Sequence, residues 1–69
     1  MTLYRYATLM RPAGLGAVPR EGLHSCEDVR WLVCPSGHTA YSIADYERPL
    51  TDKEIRDYEL ESLGCVEAD

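Results

Sequence analysis

Arg48-Pro49-Leu50-Thr51-Asp52-Lys53-Glu54-Ile55-Arg56-Asp57-Tyr58-Glu59-Leu60 is the stretch whose reading decides the fold. Thr51 followed three residues later by Glu54 predicts a capping box, in which hydroxyl and carboxylate each satisfy an orphan amide. Leu50 and Ile55 occupy the positions of a hydrophobic staple, which sets how the chain enters the helix. Asp52 and Glu54 fall in the first turn, where the helix dipole favours negative charge. A helix therefore starts at Asp52. Its end is open: either it runs to Leu63 with Gly64 as cap, or it breaks near Tyr58 and the tail turns extended. The shorter helix, about 52–60, is expected, because Leu60 and Leu63 do not continue the Ile55–Tyr58 face. In an extended tail Tyr58 and Leu60 would face inward, and Glu59 and Glu61 outward.

Upstream of the helix the chain reads as strands. Leu3 to Met10 is aromatic, β-favouring and free of breakers until Pro12. Pro12, Gly14, Gly16, Pro19 and Gly22 mark a loop, and apolar Leu15 and Val18 within it predict that it lies on the core. Leu23 to Asp28 fits a turn or one short helical turn. Val29 to Cys34 reads as a strand, nearly all apolar and therefore expected to be central. Pro35-Ser36-Gly37-His38 is turn chemistry, and Thr39 to Tyr46 alternates as a third strand, which together make an antiparallel hairpin. The expected fold is one small α+β domain over 1–69: a three- to four-stranded, mostly antiparallel sheet with one helix packed on it.

Size and composition narrow the function. A chain of 69 residues buries only about 60% of its unfolded surface, so its core is small. Its start offers no signal peptide, and no apolar run approaches the roughly 18 residues that span a bilayer. Three cysteines without a secretory signal point to free thiols in a cytosol. The net charge of −5 arises entirely in the last third. Residues 1–44 hold three acids against four arginines, whereas residues 45–69 hold nine acids against three bases. Such an excess disfavours direct contact with nucleic acid or anionic lipid and suits a basic partner surface, although it also serves solubility.

Motifs for chemistry are weak. His24-Ser25-Cys26 and Cys34-x3-His38 supply four soft ligands around one strand, but His-x-Cys is too close for ordinary zinc spacing. Cys34, ending an apolar strand, reads as a core thiol and His38 as a turn residue. Cys26 or Cys34 with a histidine and Asp45 would be a minimal nucleophilic set, yet no nucleophile elbow or phosphate loop accompanies it. No cofactor motif is present, and an enzyme is not expected. Tyr4-Arg5-Tyr6 resembles a base-stacking strand but is better explained as core area with wet hydroxyls. The acids remain. Asp45, Glu47, Asp52, Glu54, Asp57, Glu59 and Glu61 form a row that arginines meant for phosphate would accept with the same forked geometry. Lys53 and Arg56 look poorly placed to neutralise them.

Tyr4-Arg5-Tyr6-Ala7-Thr8, the run from Arg11-Pro12 through Gly14, Gly16 and Pro19, and Tyr46-Glu47-Arg48-Pro49-Leu50-Thr51 leading into Tyr58-Glu59-Leu60 carry a resemblance. The chain resembles short proteins encoded in bacteriophages, plasmids and other mobile elements. That resemblance implies a counter-defence role in the host cytosol, as an anti-CRISPR or anti-restriction inhibitor covering a DNA-binding surface. It names no binding residue; the nomination of the seven acids rests on charge alone. A non-enzymatic adaptor associating through Trp31, Tyr41 or the loop from Leu15 to Val18 is the alternative, and a zinc module the third.

Overall fold

The computed structural model describes residues 1–9 and 18–68, the side chains of Arg30 and Trp31 excepted. Positions 10–17, which take in Met10, Pro12, Gly14, Leu15 and Gly16, and the side chain of Trp31 thus lie outside the described residues. The elements are β1 (Thr2–Thr8), β2 (Leu23–Val33), β3 (Thr39–Tyr46), α1 (Asp52–Asp57) and β4 (Leu60–Glu67). Among the described residues they form one antiparallel sheet in the order β2-β3-β1-β4 with one short helix. The expected α+β class and the β2–β3 hairpin are both present.

Two apolar layers hold the sheet. On one face Tyr6, Ala44, Tyr46 and Leu60 pack under Val18 and Leu50, with Ile55 of α1 against them. The rings of Tyr6 and Tyr46 meet edge to face at 5.9 Å between centroids. Their hydroxyls are satisfied in different ways: the Leu50 N–H donates to Tyr6 at 2.9 Å, and Tyr46 donates to the Pro19 carbonyl. These bonds tie both flanking loops onto the sheet. Burial drives the Tyr46 phenol pKa well above its ordinary value. Thr8 and Ser42, fully buried, satisfy each other at 2.7 Å. On the second face Ala7, Ile43, Ala40 and Cys34 cluster, with Leu9, Val29 and Leu63 around them.

The hairpin supplies the cover for that second face. A straight 11-residue strand would be roughly 35 Å long, more than the 27 Å of the longest molecular axis. β2 therefore has to bend. Its pairing with β3 slips between Leu23 and Ser25 and again between Asp28 and Leu32, and bulges of this kind kink and twist a strand.

Several expectations are corrected. β2 begins at Leu23, taking in the polar segment read as a turn, and it is an edge strand, not a central one. The centre belongs to β1 and β3, whose alanines, Thr8 and Ser42 fill the tight interior, while Val33 is 63% exposed on the hairpin arm. The helix spans six residues, ending at Asp57. Tyr58 is its C-cap and is 39% exposed, so it does not face inward; alternation begins only at buried Leu60. Gly64 caps no helix. It lies in β4 with φ +92°, where the pairing with β1 shifts beside it. Among the described residues no helix is long and apolar enough to cross a membrane.

Candidate functional site

The capping box forms as its spacing predicts. Thr51 Oγ1 accepts from the Glu54 amide at 3.1 Å, and Glu54 Oε1 accepts from the Thr51 amide at 2.9 Å. The same carboxylate has a second duty. Arg48 donates to it through Nη1 at 2.9 Å and Nη2 at 2.8 Å, a forked pair. Arg48 also donates from Nε to the Glu21 carbonyl at 2.9 Å and lies over the Tyr46 ring. Hydrogen bonds from Arg48, then from the Thr51 backbone, bring the Glu54 pKa down to about 2. Glu54 is thus a fixed anion of the fold.

The other acids divide by what they touch. Asp45, its side chain 11% exposed, takes two bonds from Arg5, from Nε at 2.8 Å and Nη2 at 3.0 Å. Their residues face each other in the β1–β3 register, and the bond to Asp45 raises the Arg5 pKa. Asp57 is paired with Lys53 one turn before it, so that lysine does neutralise an acid. Glu61 could join a helical stripe with Glu54 and Asp57 only on a longer helix. It stands instead on β4, its side chain 17% exposed, accepting from the Ser36 amide at 3.1 Å and from the Ser36 hydroxyl. These bonds, that from the Ser36 hydroxyl first, lower its pKa. Glu47 lies 3.7 Å from His24 Nδ1, both partly exposed.

Asp52 and Glu59 are different. Their side chains are exposed and make no hydrogen bond or ion pair among the described residues. Glu59 sits between α1 and β4 with φ +51°, a left-handed conformation unusual for a residue with a long side chain. Its amide donates to the Arg56 carbonyl and its carbonyl accepts from Leu9, so the strained turn is anchored on both sides.

The histidines and cysteines do not converge. His24 and Cys26 lie where β2 faces the end of β3, near Asp45 and Tyr46, whereas Cys34 and His38 lie at the turn. Among the described residues no three His, Cys, Asp or Glu side chains gather in a metal-holding group. Asp45, the third member of the nucleophilic set, is committed to Arg5. The Cys34 thiol pKa is raised by burial and then by the charge of Glu61, which keeps it protonated. All three thiols are free.

Sequence reasoning missed Arg48 and Arg5 as the holders of acids. The pairs span six and forty positions, and the longer one is visible only once strand register is known.

Neither a curated protein nor a solved structure shows a match to the chain. The family described as defence against restriction A C-terminal matches residues 1–65. That agrees with the anti-restriction side of the resemblance to mobile-element proteins and contributes nothing to the anti-CRISPR side. With nearly its whole length matched, the chain belongs to the defence against restriction A C-terminal family, which its description ties to defence against restriction.

Proposed function

We propose that this domain is a non-enzymatic interaction module of a defence against host restriction, docking by its free carboxylates on part of a basic, nucleic-acid-binding surface of the restriction machinery in the bacterial cytosol. The observation that carries the reading is the family match over residues 1–65. Support comes from the acidic excess and from Asp52 and Glu59, which have no internal partner among the described residues. Glu47, exposed and 3.7 Å from His24 Nδ1, is a third acid open to a partner. Because the family description speaks of restriction, the target proposed is a restriction complex and not a CRISPR complex.

Magnitudes favour partial docking over a full replica of DNA. Duplex DNA carries one charge per about 1.7 Å. A net charge of −5 along 27 Å is one per about 5 Å. Asp45, Glu54, Asp57 and Glu61 already have internal partners. A few charge-assisted contacts, from Asp52 at the start of α1 and Glu59 just past its end, are what these acids supply, enough to steer association and fix orientation.

The test is protection of DNA from a purified host restriction enzyme, read as the initial cleavage rate with and without the chain at low and high salt. Protection is expected to weaken with salt and to be lost in the Asp52→Lys/Glu59→Lys variant, its folding checked by circular dichroism. Undiminished protection by that folded variant would remove the acids from the mechanism.

A second reading has its own observation. Val33 is 63% exposed on the hairpin arm, an apolar contact for an adaptor domain. Protection or association indifferent to salt and lost in Val33→Ser would favour it.

A further inference from the structure

The tip of the β2–β3 hairpin touches β4, although β1 lies between β3 and β4 in the sheet. Glu61 on β4 receives the Ser36 amide at 3.1 Å and the Ser36 hydroxyl. The Ser36 oxygen is also 2.8 Å from His38 Nδ1, and that nitrogen is 3.8 Å from Glu61. Proton counting settles the wiring. An ionised carboxylate only accepts, so the single Ser36 proton goes to Glu61 and His38 Nδ1 donates to Ser36. Neutral His38 in its Nδ1–H tautomer and the imidazolium both satisfy this arrangement. Glu61 is therefore the group on which the contact depends.

Beneath the tip lies Cys34, 3% exposed, packed with Ala7, Ala40 and Ile43, with Leu63 beside them. The tip holds itself together through Cys34 N–H to the His38 carbonyl and Gly37 N–H to the Cys34 carbonyl, each 2.8 Å. Behind it Leu32 and Val33 are exposed, and the pairing of β2 with β3 slips between Asp28 and Leu32. Among the described residues the tip rests on the small cluster of Cys34 and Ala40, with a bulge at its base and the Ser36–Glu61 contact in front, the features of a local opening unit.

We propose that Glu61 acts as a clasp holding the hairpin tip against β4, and that its release lets the tip swing out as a unit, uncovering Cys34 and the apolar floor of Ala7, Ile43 and Leu63. Among the described residues the charged and titratable groups placed at the clasp are Glu61 from β4 and His38 and Cys34 from the hairpin, with Ala7 of β1 in the apolar floor. The raised pKa of Cys34 agrees with a thiol sealed beneath a carboxylate. The device does not depend on the docking reading above.

The three thiols report on it directly. Cys65 is exposed, Cys26 half-buried and Cys34 buried, so iodoacetamide alkylation of the folded chain, resolved by mass spectrometry, reads each site. In the wild type Cys65 reacts fast and Cys34 slowly. Glu61→Gln is expected to accelerate Cys34 about tenfold, the scale of one charge-assisted hydrogen bond, and to leave Cys26 unchanged. Ser36→Ala retains the Glu61 charge, so a rise at Cys34 in that variant reports access and not thiol acidity; a severalfold rise is expected. Cys34 rates unchanged in Ser36→Ala, or Cys34 and Cys26 rising together in either variant, would overturn the clasp.

Discussion

Arg5 and Asp45 stand directly opposite each other on the two central strands and are joined by a forked pair of hydrogen bonds at 2.8 and 3.0 Å. The first acid of the acidic third is thus part of the sheet. Arg48 does the same for Glu54 at the helix start. The surface charge available to a partner is accordingly smaller and more local than the residue count implies.

Removing one member of the Arg5–Asp45 pair leaves the other uncompensated. Arg5→Met strands a buried carboxylate and is expected to cost about 1–3 kcal/mol in urea denaturation. Because the Arg5 side chain is 39% exposed, the lower half of that range applies. Arg5→Met combined with Asp45→Leu should recover most of the loss, since an apolar pair has no charge to desolvate.

Acid should weaken the fold through Glu54 and Glu61. Both have folded-state pKa values below their ordinary 4.5, Glu54 at about 2. Each binds protons more readily when unfolded, so its stabilisation is complete above about pH 4.5 and is lost as pH falls towards the folded value. The thermal midpoint of the wild type should therefore fall between pH 5 and pH 2. Glu54→Gln should lower the midpoint at pH 6 and make the fall shallower; an equally steep fall in the variant would assign it to other carboxylates.

Two backbone positions make opposite predictions. Gly22 has φ +76°, and a Cβ there would sit 3.0 Å from Arg48 Cγ. Gly22→Ala should destabilise by about 1–2 kcal/mol from the left-handed backbone alone, with further loss where Arg48 is displaced. Glu59 holds a left-handed turn without being glycine. Glu59→Gly should stabilise the chain by up to about 1 kcal/mol in chemical denaturation, while removing one of the two acids proposed for docking. A chain that becomes more stable yet protects DNA less well would mark Glu59 as retained for contact. Full protection by the stabilised variant would mark it as neutral.

What the residues disclose by themselves is local. Thr51, Glu54, Leu50 and Ile55 lie within five positions of each other, and the helix start they predict is present to the residue. The Pro35–His38 turn is legible for the same reason. Strand order is not, because apolar content cannot distinguish a central strand from one bent over its own sheet; β2 owes its exposed Leu32 and Val33 to that bend. Its polar first half, Leu23 to Asp28, lacks the alternation of a half-buried strand because the edge leaves it largely solvated. The acids were legible as a composition and not as an arrangement. Asp45 finds its arginine forty residues away, and Glu61 meets Ser36 only because the hairpin folds over.

The most direct measurement is competition binding of the chain and duplex DNA for a purified host restriction complex, titrated across salt. Docking on the DNA-binding surface predicts that DNA displaces the chain, that affinity falls steadily as salt rises, and that Asp52→Lys with Glu59→Lys weakens binding at least tenfold. Simultaneous binding of chain and DNA, with an affinity that neither salt nor the two reversals alters, would contradict it.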